Sequence, residues 1–357
     1  MKSDGNLERV LAAGHFAITA ELGPPKGNSV EAVRKKTALL KGNADAVNIT
    51  DNQTAVVRMS SAAASALCVR EGLEPVMQMV ARDRNRIAMQ SDILGATALG
   101  VRNLLCLSGD HACFGTQPCS KSVFDIDSIQ MIQMVKRMRD EKRLLDSDEA
   151  LDGDVKIFIG AAANPFAEPL EFRALHFKKK VDAGADFAQT QVIYDMDIFK
   201  RWMVQVRNLG LHERCKILAG VIPLKSFKMA QYMANNVSGV IIPDALLTRM
   251  EAAPKGKGGE EGIKICLEQI EQLRAIEGVS GVHLMAIEWE HKVPEIVERD
   301  GLLPRPVLVL GRTGVRTEKG NRRDAESAGA ATESSGTSSR CMAGVLLSGG
   351  RVPVRFL

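Results

Sequence analysis

The chain has 357 residues, 45% of them hydrophobic, and carries 47 Lys+Arg against 43 Asp+Glu, a formal charge of +4. The excess sits in residues 307–357, where eight basic residues face four acidic ones, so residues 1–306 are balanced and carry no bias towards nucleic acid or anionic lipid. Two Trp and two Tyr are too few for a base-stacking platform, and no run approaches the ~18 apolar residues of a membrane span. Neither nucleic acid nor a membrane is therefore an expected partner.

The first strand is expected over Phe16–Ala20, apolar and β-branched, with Glu21 at its end and Gly23-Pro24-Pro25 closing it, because proline lacks the ladder donor. Asn28-Ser29 caps a helix over Val30–Lys41. Strands follow over Asp45–Thr50, Glu74–Val80 and Asn103–Leu107, separated by helices over Val57–Glu71 and Asn85–Gly100. A long loop, Ser108–Phe124, precedes a helix over Asp127–Lys142. Val155–Ala163, Asp186–Thr190, Lys216–Ile222 and Val282–Ile287 complete the strands. Helices at Leu170–Ala183, Met196–Asn208, Ser226–Asn235, Ile263–Ala275 and Pro294–Arg299 follow them in turn, and Gly256–Gly262 reads as a flexible loop.

Eight largely continuous apolar strands alternating with helices are the pattern of a parallel sheet covered by helices. Eight repeats favour closure, so the expected fold is α/β, a (β/α)8 TIM barrel in a single domain over residues 1–306. Residues 307–357, rich in Gly, Ser, Thr, Ala and Arg, are expected to be a disordered low-complexity tail. No dinucleotide fingerprint or P-loop follows any strand.

Seven cysteines, at 68, 106, 113, 119, 215, 266 and 341, form an odd and scattered set. With a polar Met1–Asn6 and no signal peptide, they point to a reducing, cytoplasmic setting.

In a barrel the chemistry collects on the loops after the strands. Those positions hold Glu21; Thr50, Asp51 and Asn52; Gln78, Arg82 and Asp83; Ser108-Gly109-Asp110-His111; Asn164; Gln189 and Gln191; then Pro223 and Phe227. Polar groups after nearly every strand of an apolar frame favour a binding cavity. Glu21, a carboxylate ending the first strand at the barrel mouth, is a candidate for chemistry, and a buried Glu without a cation partner would keep its proton near neutral pH. Cys106, His111, Cys113 and Cys119 lie close in sequence and suggest a metal, but no CxxC pair occurs and Cys106 falls mid-strand, so no metal site is expected. His176 and His212 read as surface groups, and His283 and His291 as solvated or capping groups.

Four stretches, AELGPP (20–25), LSGD (107–110), KKVDAGADFAQTQ (179–191) and GVIPLKSFK (220–228), give the chain its family likeness. It resembles the flavin-dependent methylenetetrahydrofolate reductases from about residue 15 to residue 306. The resemblance implies reduction of 5,10-methylenetetrahydrofolate to 5-methyltetrahydrofolate in one-carbon metabolism. FAD would be the cofactor, NADH or NADPH the electron donor, and folate the substrate, in a homo-oligomer. It also implies Glu21 as general acid, Asp110 as the carboxylate beside the flavin and pterin, and Gln191 and Phe227 as folate contacts. The implied cofactor set is Thr50, Gln78, Ser108, Gly109, Asp110, Asn164 and Lys180. The chain departs from the family pattern at Leu22-Gly23, where the family has Phe-Phe, and at Asn164 and Phe166, where it has Tyr and His. The alternatives are a catalytically weak barrel docking a redox partner subunit, or a metal-binding protein using the cysteine cluster.

Overall fold

The computed structural model describes residues 1–237, 239–311 and 314–317. Eight parallel strands close into a barrel in sequence order: β1 (Ala17–Leu22), β2 (Ala46–Ile49), β3 (Pro75–Val80), β4 (Asn103–Leu107), β5 (Phe158–Ala163), β6 (Phe187–Val192), β7 (Lys216–Val221) and β8 (Val279–Leu284). Before β1 lies α1 (Asn6–Ala12). Between and after the strands come α2 (Val30–Leu40), α3 (Ser61–Arg70), α4 (Arg86–Ala98), α5 (Ser128–Asp140), α6 (Arg173–Ala183), α7 (Met196–Asn208), α8 (Leu211–Arg214), α9 (Phe227–Asn236), α10 (Asp244–Glu251), α11 (Gly258–Arg274) and α12 (Val293–Arg299). The expected TIM barrel is the observed one.

The period of two along each strand divides the side chains into two sets. Ile18, Ala20 and Leu22 of β1, with Met77 and Met79 of β3, join the core between barrel and helices. Ala17, Ala46, Val76, Leu105, Phe158, Phe187 and Leu218 point inward and meet Leu7, Val10 and Leu11 of α1. Phe158 and Phe187 stack inside with centroids 5.1 Å apart. The N-terminal end of the barrel is thus a packed apolar plug, with α1 as its lid. Glu74 fixes that lid by accepting from the free Leu7 N at 2.9 Å and from Asn6 N, standing in for a helix cap.

Several boundaries differ from those expected, each for a local reason. α1 and α10 have no counterpart in the sequence reading. α3 begins at Ser61, not Val57, because Ser60 caps it by accepting from Ala63 N at 3.2 Å. β8 starts three residues early: its Ser280-Gly281 looks like a turn, but a Cβ on Gly281 would lie 2.2 Å from Ala17 O, so the position needs glycine for strand contact. The glycine-rich stretch before α11 is mostly the helix itself. A Cβ at Gly262 would meet Leu224 O at 1.8 Å, so there glycine serves close packing. Beyond residue 306, Leu308–Gly311 and Gly314–Thr317 pair as antiparallel strands β9 and β10, and Leu308 is buried against the N-terminal plug. The rest of the tail expected to be disordered lies outside the described residues.

Candidate active site

A cleft of about 310 Å³ opens at the C-terminal mouth of the barrel, lined by groups from six strands and by α6. Its volume falls at the lower end of the ~300–1,000 Å³ of small-molecule pockets. Glu21, Gln78, Asn164, Lys180 and Gln191, all singled out in the sequence, line it together. So do Arg173, His176, Gln189, His283 and Met285.

The floor is a buried polar layer immediately above the apolar plug. Asn48 Nδ2 donates to Gln189 Oε1 at 2.6 Å, and Gln189 Nε2 donates back to Asn48 Oδ1 at 2.9 Å. The same Gln189 nitrogen donates to Thr19 Oγ1 at 3.1 Å. Thr19 Oγ1 lies 3.0 Å from His283 Nδ1 and 3.5 Å from Val282 O, which ties the ring into the same layer. Burial lowers the pKa of His283 to about 4, so the ring is neutral at physiological pH. The sequence reading placed His283 in a solvated or capping role. It is instead interior, because β8 is registered with Thr19 opposite His283.

Glu21 stands two residues above Thr19 on the same inward face. Its side chain is 8% exposed. Burial first, then the nearby Glu290 carboxylate, push its pKa up to about 7, against a smaller opposing pull from Lys36. Lys36 is engaged elsewhere, with Glu290 at 2.5 Å and with Gly23 O at 3.4 Å. A carboxyl half-protonated at neutral pH and facing a cleft is suited to give up a proton.

Across the cleft, Arg173, His176 and Lys180 share one face of α6 at helical spacing. Carbonyls hold two of these cations: Arg173 donates to Glu168 O, and Lys180 Nζ to Ala162 O at 2.7 Å. Burial depresses the pKa of Lys180. The pKa of His176 falls through burial and then through the charges of Lys180 and Arg173. The face is therefore a site of concentrated, partly dehydrated positive charge. His176, expected at the surface, lies between these two cations on the same face. Its Arg-x-x-His-x-x-x-Lys spacing was readable, but only once the helix was known to flank a mouth.

Other expected residues lie outside the cleft lining. Ser108 and Asp110 are exposed on the loop after β4. Arg82 binds that loop by donating to Asp110 O at 2.9 Å, to Asn52 O at 3.2 Å and to both Asp83 oxygens at 2.7 Å. Arg82 and Asp83 therefore clamp loops together. Gly109 has φ 89°, and a Cβ there would meet Val80 at 2.9 Å, so the tight return needs glycine. Thr50 is buried with its hydroxyl unpartnered among the described residues. Phe227 opens α9 and packs half-buried with Val192, Ile222 and Leu224. Cys106 faces the outer core, whereas Cys113 and Cys119 are exposed. Among the described residues no group of three or more His, Cys, Asp or Glu is placed to hold a metal ion. None of their helices is long and apolar enough to cross a membrane.

The fold and cleft define a (β/α)8-barrel protein whose polar groups converge at the C-terminal mouth. A family model described as methylenetetrahydrofolate reductase matches residues 6–301, and the chain belongs to that family. A probable methylenetetrahydrofolate reductase (NADPH) from Caenorhabditis elegans is 24% identical over 316 residues, covering 83% of this chain and 44% of the relative. The 5,10-methylenetetrahydrofolate reductase of Salmonella typhimurium is 23% identical over 220 residues, 61% of this chain and 67% of the relative. The match thus spans less than half of the nematode protein and about two thirds of the bacterial one. Among solved structures, a Clostridium thermocellum protein described as binding two copies of 5-methyl-5,6,7,8-tetrahydrofolic acid has a TM-score of 0.55 at 14% identity. It covers 82% of this chain and 99% of that one, and shares the fold.

Proposed function

We propose that the chain reduces 5,10-methylenetetrahydrofolate to 5-methyltetrahydrofolate with bound FAD, taking electrons from NADH, NADPH or a redox partner. The observation that carries this reading is Glu21, a buried mouth carboxyl whose proton is retained to about pH 7. Family membership supplies the substrate class.

The residues present fit a flavin dinucleotide. The α6 cations Arg173 and Lys180 have donors to spare for a diphosphate, and phosphate charge would relieve their mutual repulsion. Gln78 and Gln191 offer amide donors and acceptors to the edge of a heteroaromatic ring. A cleft of about 310 Å³ suits ring systems, leaving the rest of a dinucleotide to run over the open rim. Once bound and reduced by that electron donor, FAD would supply the hydride for the methylene carbon and return to its oxidised form.

The remaining work falls to the chain. Glu21 donates its proton to the amine nitrogen released as the folate's five-membered ring opens, leaving an iminium at the carbon to be reduced. The His283 ring and the Gln189 layer form a rigid, preorganised floor, so bound rings are positioned without reorganisation of that layer. Gln191 and Phe227 are the proposed folate contacts, and Asp110 the carboxylate at the rim. An absorption spectrum and an FAD titration of the purified protein test the cofactor: saturable binding supports the reading, and a protein that neither carries nor binds FAD overturns it.

A further inference from the structure

Glu21 has a second side. Behind it, away from the cleft, a small chamber of about 40 Å³ is lined by Glu21, Lys36, Gln53, Arg58, Glu288 and Glu290, with Gly23 and Ile287. Lys36 comes from α2, Arg58 from the segment before α3, and Glu288 and Glu290 from the segment after β8. On the cleft side the titratable groups on the walls are His283, His176, Arg173 and Lys180. Of the chamber's two cations, Arg58 is anchored through Nη1, which donates to Pro24 O at 3.0 Å. Lys36 is turned to Glu290 at 2.5 Å, with its side chain 31% exposed and that of Glu290 10% exposed.

Resting on the acid role of Glu21, we propose that Glu290 is a positioning residue that sequesters Lys36, keeping this ammonium of the chamber from ionising the acid. An ammonium free to reach Glu21 would form an ion pair with it, and an opposite charge within ~4–6 Å lowers a carboxyl pKa by ~1–3. The acid would then enter each turnover without its proton. Glu290 prevents this in two ways: it binds Lys36 Nζ, and its own negative charge lies beside Glu21. The Lys36 bond to Gly23 O at 3.4 Å completes the tether and links it to the turn that follows β1. The stretch Glu288–Lys292 thus tunes the acid without touching substrate.

The test is a charge cycle read on Glu21 itself, by isotope-edited infrared titration of the ¹³C-glutamate-labelled, full-length protein, with the Glu21 band assigned from Glu21→Gln. Glu290→Gln should lower the Glu21 midpoint by about one pH unit or more, and Lys36→Met should raise it. The double variant, which removes the pair and its net charge together, should return the midpoint close to the parent value. In stopped-flow experiments at pH 7, Glu290→Gln should slow the folate half-reaction about five-fold, as the protonated fraction falls, and leave reduction of the flavin unchanged. The double variant should recover it. An unchanged midpoint in Glu290→Gln, or a double variant that stays as low as the single one, overturns the sequestration. If Glu21→Gln itself reacts with folate at the parent rate, it is the acid reading that fails, whatever the infrared midpoints show.

Discussion

At the N-terminal end of the barrel, buried acids are held by matched partners. Asp186 takes Arg139 at 2.6 Å, Ile159 N at 2.9 Å and Lys2. Asp45 takes Arg305 at 2.5 Å and Ile18 N at 2.7 Å. At the C-terminal mouth some acids are treated likewise: Asp51 pairs with Arg84 at 2.6 Å, and Glu290 with Lys36. Glu21, equally buried, has the nearest cation drawn off to another carboxylate, and Lys180 across the cleft rests on a carbonyl. Both kinds of site lie on the same scaffold, so fold alone does not explain the difference. Paired charge at the base fixes where strands begin; at the mouth the unpaired Glu21 carboxyl is left to change protonation near neutral pH.

The largest expected effect is at the mouth. Glu21→Gln should keep the fold and FAD binding, and its flavin should still be reduced by an electron donor. The folate half-reaction should fall by the ~10²–10⁴-fold that a positioned acid contributes. Stopped-flow flavin absorbance, followed for each half-reaction separately, checks it.

The matching change at the base should do the reverse. Asp186→Asn strands Arg139, which is 5% exposed, and should destabilise the protein by ~3–5 kcal/mol, as broken buried pairs do. Denaturant titration measures the loss. FAD affinity per folded molecule should not change, and if it does, the two ends are not separable.

A third prediction concerns pH. Glu21 binds its proton more tightly folded, at about 7 against a usual 4.5, so stability contributed by this group is full below pH 4.5 and falls as pH rises towards 7. The loss is on the order of 3 kcal/mol. His283 works in the opposite sense: its pKa, lowered from 6.5 to about 4, makes stability fall as pH drops through that window. The two oppose each other between pH 4.5 and 6.5, so Glu21→Gln should unmask a steeper rise of stability with pH there. Melting temperatures across pH 4–8 would show it.

The smallest effect is at Lys180. Lys180→Met should weaken FAD binding about ten-fold, the value of one hydrogen bond to a charged group, and reduce its salt dependence. Fluorescence titration at two ionic strengths reads both.

How much of this was legible in the sequence depended on whether a residue's role is local. Glu21 was legible because a carboxylate ending an apolar strand is costly unless used. Gln78, Asn164, Lys180 and Gln191 were legible as a set through strand-end placement and family likeness. His283 was not, because the strand was placed three residues late and a histidine carries no local sign of burial. The Lys36–Glu290 pair was illegible for a different reason: its partners lie 254 positions apart and meet only when β8 closes the barrel against β1. α1 and α10 were missed because short helices on a barrel rim owe their stability to docking more than to periodicity. The glycines before α11 were misread because the backbone contact that requires them is tertiary.

The central claim is that the mouth carboxyl, left without the ion pair that holds each base carboxylate, keeps its proton near neutral pH. Its most direct test is the infrared titration of Glu21 in the parent protein, with the band identified by its loss in Glu21→Gln. A midpoint near the value of about 7 set by burial and Glu290 is the expected result. A midpoint in the ordinary range near 4.5 would mean that Glu21 is ionised at neutral pH, and would contradict its role as the acid.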